Sequence, residues 1–130
     1  MPSPLPVDQR FLSKYRLRSG AEFRQVYDQG RSAADGNLVV YVVGNSLEHP
    51  RLGLSVSRKV GGAVQRNRWK RLIREAFRLY RLELPMSVDL VVIPRGGEPA
   101  LEQIAASLVS LARQAQRRLG KPRPPRRSGS

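Results

Sequence analysis

The residues best suited to chemistry in this sequence are cations, crowded between Ser55 and Arg81. Arg66, Lys70, Arg71, Arg74, Arg78 and Arg81 recur three and four residues apart, the spacing that gathers side chains on one side of an α-helix. Cations placed this way repel one another and disfavour the helix, whereas ordinary exposed helices mix signs to gain stabilising pairs. Only Glu75 interrupts the polar side. Such a face suits phosphates, and arginine suits it best because its planar fork bonds a phosphate through two hydrogens. Just upstream, Ser57-Arg58-Lys59-Val60-Gly61-Gly62 sets two cations and two glycines at the helix start, where the positive end of the helix adds to the attraction for an anion. The spacing is not that of a P-loop, because Lys59 precedes the glycines and they lie too close together. A plain turn, with glycine there for backbone reasons, accounts for the pair equally well.

Catalytic chemistry is poorly provided for. There is no cysteine, so disulfides, thiolate metal sites and a cysteine nucleophile are excluded. The one histidine, His49, sits beside Pro50 in a loop and reads as a structural or surface residue rather than a general base. No acidic cluster has two-metal spacing. Ser55 and Ser57 lack a His or Lys relay. The sequence therefore predicts no catalytic residue and no metal ligand on this chain.

The charge of the whole chain agrees with the local signal. Its 130 residues carry 24 Lys+Arg against 10 Asp+Glu, a formal net charge of +14, and all but Lys14, Lys59, Lys70 and Lys121 of the basic residues are arginine. The partner to expect is a polyanion, with nucleic acid ahead of an anionic membrane surface. No apolar run approaches the roughly 20 residues of a membrane span. The N-terminus, with Pro2, Pro4 and Pro6, is not a secretory signal, so the expected location is the cytoplasm.

The elements that must position these groups follow from pattern. Residues 1–9 read as a flexible leader, 10–118 as one domain, and 119–130 as a disordered basic tail. Ser19 and Glu22 form a capping-box signature, followed by Phe23, Val26 and Tyr27 at helical spacing and closed by Gly30. On residues alone, those three apolar side chains read as core. Residues 31–34 and 37–43 read as strands, and 51–57 as a third. A long helix is predicted over 63–82. One half of it holds Trp69, Leu72, Ile73, Ala76, Phe77, Leu79 and Tyr80, to be packed on the sheet; the other holds the cations with Asn67, and Arg68 lies at the boundary. Residues 88–93 form an apolar run fit for a buried strand, and Leu101, Ile104, Leu108, Leu111 and Ala115 stripe a last helix that Gly120 stops. The order α-β-β-β-α-β-α predicts an α/β (α+β) domain with one mixed four-stranded sheet and helices against it.

Three blocks carry a resemblance: Gly53-Leu54-Ser55-Val56-Ser57-Arg58-Lys59, then Arg66-Asn67-Arg68, then Lys70-Arg71-Leu72-Ile73-Arg74-Glu75-Ala76-Phe77. Together they closely resemble the bacterial ribonuclease P protein subunit family, whose signature is an Arg-Asn-Arg triplet opening a basic helix. The likeness runs from about Arg16 to Arg118 and includes Tyr41 in a strand, Asn45-Ser46-Leu47 with His49-Pro50-Arg51, and Asp89-Leu90-Val91-Val92.

The resemblance implies a compact α/β domain with a left-handed βαβ crossover, against the usual right-handed preference. It implies two RNA partners, the catalytic RNA subunit of ribonuclease P and precursor tRNA, whose 5′ leader the holoenzyme removes. It implies no membrane and no obligatory protein partner. The chemistry would reside on the RNA with Mg²⁺, and the protein alone would bind no cofactor. The implied RNA-subunit surface comprises Arg58, Lys59, Arg66, Asn67, Arg68, Arg71 and Arg74, although Asn67 could equally cap the helix start. The implied leader cleft comprises Phe23, Tyr27, Val39, Tyr41 and Ser55, with Lys70 and Arg74 at its edge. Val39 and Tyr41 share one face of their strand, as a cleft wall requires. Tyr27 stands where the family commonly has Phe, a change that preserves stacking. The alternative is a general RNA-binding or ribosome-associated protein of similar fold with no role in cleavage.

Overall fold

A computed structural model of the chain describes residues 13–120. The leader expected over 1–9 and the Pro- and Arg-rich segment over 121–130 lie outside the described residues. Helix α1 spans Gly20–Gln29 and begins with the predicted capping box: Ser19 Oγ accepts from the Glu22 N–H at 3.1 Å, and Glu22 Oε1 accepts from the Ser19 N–H at 3.1 Å. Strands β1 (Arg31–Ala34), β2 (Leu38–Gly44) and β3 (Arg51–Leu54) follow, then α2 (Ala63–Tyr80), β4 (Val88–Pro94) and α3 (Leu101–Leu119). The sheet order is β1-β2-β4-β3, antiparallel except for the β3/β4 pair. The mixed four-stranded α+β architecture is the predicted one.

Strand β4 lies inside the sheet, and Val88, Leu90, Val91 and Val92 are all buried, which is why its sequence is apolar almost throughout rather than alternating. Both faces of β4 are therefore covered along most of its length. One face of the sheet, with Leu38, Val40, Val42, Leu52, Leu90 and Val92, shares a core with α2 and α3. The other, with Val43 and Val91, packs under α1 through Val26. The apolar side of α2 lies chiefly along α3, with sheet side chains reaching into the same cluster, rather than flat on the sheet.

Three expectations need correction. The third strand stops at Leu54 rather than Ser57: the Ser55 N–H still reaches Val92 O at 3.1 Å, but Ser57 then caps a 3₁₀ turn over Arg58–Val60. The long helix gives way after Tyr80 to a second 3₁₀ turn over Arg81–Glu83. The buried stripe of α2 is also narrower than predicted, consisting of Trp69, Ile73, Ala76 and Phe77. Leu79 is 49% exposed because it stands about 120° around the helix from Ile73. Tyr80 is 38% exposed because it is the last helical residue, where the chain turns away.

Truncation should discriminate between these positions. Phe77→Ala should cost about 3–5 kcal/mol, because the fully buried ring leaves a cavity. Leu82→Ala, at a side chain 92% exposed, should fall within about 0.5 kcal/mol of wild type. Urea denaturation of the two variants measures the contrast.

Candidate RNA interface

The start of α2 is built without internal compensation for positive charge. Its N-cap is Gly62, no side chain caps it, and its first turn holds no acidic residue. Around it stand Arg58, Lys59, Asn67, Arg68 and Arg71, all exposed. Asn67 lies inside the helix rather than at its cap, so the capping role considered for it is not the one found. Val64, 84% exposed, lies one turn before Arg68 on the same side. Gly61 has a backbone reason: its φ is +134°, and a Cβ there would meet Gln65 Cβ at 2.8 Å. Gly62 has open space around it, as a close approach to a ligand requires.

The cation strip is shorter than the helical wheel implied. Arg66 lies seven residues before Ile73, in line with the buried stripe. It is partly buried, and its Nε is out of water with no hydrogen bond. Arg78 Nε donates to Glu75 Oε1 at 3.0 Å, so its charge is matched. Arg81 lies 4.5 Å over the Tyr15 ring.

The second surface is built on the sheet face that carries α1. Register and alternation place three rows on that face: Val43, Asp89 and Arg51; Tyr41, Val91 and Gly53; then Val39 and Ile93, with Ser55 next along from Gly53. Helix α1 packs over the first two. Val26 is fully buried, as the core reading expected, but Phe23 and Tyr27 keep part of their surface exposed. Tyr27 meets Tyr41 edge to face, with ring centroids 5.0 Å apart. The third row, Val39, Ile93 and Ser55, remains partly open.

Beside these rings runs a groove of about 210 Å³ lined by Arg16, Leu17, Phe23, Leu52, Gly53, Leu54, Lys70 and Arg74. It joins Phe23 to three cations and includes no carboxylate among its lining residues. Burial, and then the nearness of Arg16, push Arg74 below the usual guanidinium range, though it remains charged. Of the residues expected in one cleft, Phe23, Lys70 and Arg74 line the groove, Tyr27 and Tyr41 form the adjoining aromatic pair, and Val39 and Ser55 belong to the open row.

Two contributors escaped the sequence reading. Arg16 arrives because its segment pairs along the outer edge of β3, with the Leu17 N–H bonded to Leu52 O at 3.0 Å. Gly53 is needed because a Cβ there would stand 2.6 Å from Phe23 Cζ and 2.9 Å from Leu17 Cδ1. No local pattern announced either. A larger groove of about 550 Å³ between the end of α2 and α3 mixes Glu83 and Glu102 with Arg113 and Arg117 and suits a polyanion less well.

At the closed end of the α1 face sits a network of charges. Arg51 donates from Nε to Asp89 Oδ1 at 2.9 Å and from Nη2 to Asp89 Oδ2 at 2.8 Å, and its Nη1 reaches Glu22 Oε2 at 3.0 Å. Asn45 Nδ2 donates to Asp89 Oδ1 at 2.8 Å. The bond to Asp89 raises the Arg51 pKa. The Arg18 N–H on Oε1, with help from the Ser19 N–H and Arg51, holds Glu22 below the ordinary carboxylate value against the opposing effect of burial. The signal for this network was Asp89, a lone carboxylate in an apolar strand, which has to be paired when buried.

Residues 11–116 match the family model described as Ribonuclease P. The ribonuclease P protein component of Alkaliphilus metalliredigens is 40% identical over 104 residues, covering 78% of this chain and 94% of that one. The corresponding protein of Desulfovibrio desulfuricans is 42% identical over 110 residues, covering 80% and 85%. Among solved structures, the Staphylococcus aureus RNase P protein superposes with a TM-score of 0.69 at 38% identity, covering 78% of this chain and 95% of that one. The Thermotoga maritima RNase P protein gives 0.70 at 32%, covering 76% and 96%.

The Glu22 shift fixes the sign of a pH effect. A carboxylate depressed in the folded state contributes stability above its unfolded pKa and loses it as pH falls through the folded value. Stability should therefore decline as pH drops below about 4.5, the ordinary value for this carboxyl. Glu22→Gln should show a smaller decline over that interval in urea melts, whereas an identical pH profile would show that the clamp contributes nothing.

Proposed function

The chain belongs to the ribonuclease P protein family and is a protein component of that endoribonuclease, and we propose that its two cationic surfaces divide the binding work of the holoenzyme. It works with an RNA subunit in a ribonucleoprotein. In this reading the exposed Arg58, Lys59, Asn67, Arg68 and Arg71 around the start of α2, with the partly buried Arg66 among them, dock on the RNA subunit. The groove and sheet face, with Phe23, Tyr27, Val39, Tyr41, Ser55, Lys70 and Arg74, hold the 5′ leader of precursor tRNA. Arg74, a candidate for both surfaces, goes with the leader because it lines the groove.

The observation that carries the reading is the convergence of Phe23 with Arg16, Lys70 and Arg74 beside the Tyr27–Tyr41 pair. Aromatic faces stack on unpaired bases with little sequence preference, and nearby cations hold the backbone. Recognition of that kind suits an unpaired leader. The docking strip supports the other half: arginines at an uncapped helix start gain most from a phosphate backbone.

The proposal leaves cleavage to the RNA. Among the described residues, no three His, Asp or Glu side chains converge to hold a metal ion. In this reading the Mg²⁺ of the holoenzyme is held by phosphate oxygens and water, ligands that suit it, and no step is routed through this chain. Among the described residues, no helix is long and apolar enough to cross a membrane. The proposed location is the cytoplasm, with no obligatory protein partner.

Reconstituted holoenzyme tests both surfaces. Replacing Arg68 and Arg71 with Ala should weaken RNA-subunit binding and reduce its salt slope by about 2, one for each lost phosphate contact. Tyr41→Ala should cost precursor tRNA about 1–3 kcal/mol of affinity, the worth of one stacked base, and leave mature tRNA bound as before. Equal losses for the two tRNAs would remove the leader assignment.

A further inference from the structure

The Arg51 network occupies the end of the sheet face opposite the open row, and the binding surfaces described above do not use it. Arg51 nevertheless spends all of its fork on protein. Two of its nitrogens grip Asp89 on β4 and a third grips Glu22 on α1. The arginine side chain is 22% exposed and that of Asp89 10%, so the pair is shielded from competing water. Both Glu22 oxygens are committed, Oε2 to Arg51 and Oε1 to the Arg18 and Ser19 N–H groups at the helix cap. The N-terminus of α1 is thereby fixed to two strands through one guanidinium.

The next residue along α1 is Phe23, and the next residue on this face of β3 after Arg51 is Gly53. These two meet: the Phe23 ring occupies the space where a Gly53 Cβ would be. The clamp and the groove wall are therefore one residue apart on the helix and two apart on the strand. A shift of the helix start carries the ring with it. Apolar packing around Val26 holds α1 on the sheet but is non-directional. A forked charge pair is directional and fixes the sliding position.

We infer that Arg51 is a positioning residue for the leader groove, acting through Glu22 to hold α1 so that the Phe23 ring stays against Gly53 in the groove that the cations share. It touches no RNA in this role. The inference rests on the leader reading of the groove. It explains why a partly buried three-way ion network is placed here, where an apolar cluster would stabilise as well. Lysine cannot replace it, because an ammonium lacks the planar fork that spans Asp89 and Glu22 at once.

The test uses full-length protein reconstituted with the RNA subunit, and compares wild type with Arg51→Lys, Glu22→Gln and Phe23→Ala. The readout is the ratio of affinities for precursor tRNA with a several-nucleotide leader and for mature tRNA, together with the cleavage rate at saturation. Arg51→Lys and Glu22→Gln should each lower the ratio by up to about tenfold, since loss of alignment forfeits much of a stacked contact, with the saturated rate retained. Circular dichroism checks folding. If Arg51→Lys does not fold, Glu22→Gln, which keeps the Arg51–Asp89 pair, decides the matter. An unchanged ratio in the folded clamp variants, with a lowered ratio in Phe23→Ala, overturns the positioning role and leaves the leader reading standing. An unchanged ratio in Phe23→Ala overturns both.

Discussion

Every cation that α2 presents depends on the burial of four of its side chains: Trp69, Ile73, Ala76 and Phe77. A helix that sets cations three and four residues apart works against itself electrostatically, and propensity alone would not hold it in water. The stripe gives it a core to join, shared with α3 and with sheet residues such as Leu52 and Leu90. Burying two large aromatic rings and an isoleucine outweighs the repulsion, at roughly 1.5–3 kcal/mol per fully buried large side chain. Arg58, Lys59, Arg68 and Arg71 can then remain exposed without a partner carboxylate being needed to stabilise the helix. The protein's own packing thus maintains an unbalanced charge for another molecule to use.

The same helix serves both surfaces because its cations are spread around it. Arg68 and Arg71 face outward, while Lys70 and Arg74 turn towards β3 and share a groove with Phe23. What separates the two regions is the angular step of the helix, not distance along the chain. Besides the partly buried Arg66, two cations of the predicted strip were drawn back into the protein, Arg78 by Glu75 and Arg81 by the Tyr15 ring. Those remaining at the helix start and in the groove are the ones the proposed RNA contacts use.

The sheet face under α1 shows how a graded surface is made from alternation. Its first row is sealed by the Arg51–Asp89–Glu22 network, its second is half covered by the Tyr27–Tyr41 pair, and its third lies partly open. Tyr41, Val91 and Gly53 stand directly opposite one another across three strands, so the absence of a side chain at Gly53 opens space at one point in an otherwise filled row. Phe23 takes that space and becomes the wall of the groove.

The sequence alone was informative wherever one element reports on itself. The Ser19–Glu22 cap, the stripe of α3, the buried run of β4 and the cation excess of α2 all express local periodicity, and the helix and strand order followed from them. The Arg-Asn-Arg block and its neighbours went further and pointed to the family. Tertiary structure decided the rest. Register across β2, β4 and β3 brought Tyr41 level with Gly53, edge pairing brought Arg16 beside Arg74, and packing direction left Leu79 outside and turned Arg66 inward. Periodicity says which side of an element is apolar. Which polar flanks then face each other is set by contacts between residues far apart in the chain, and no window along a single sequence contains them.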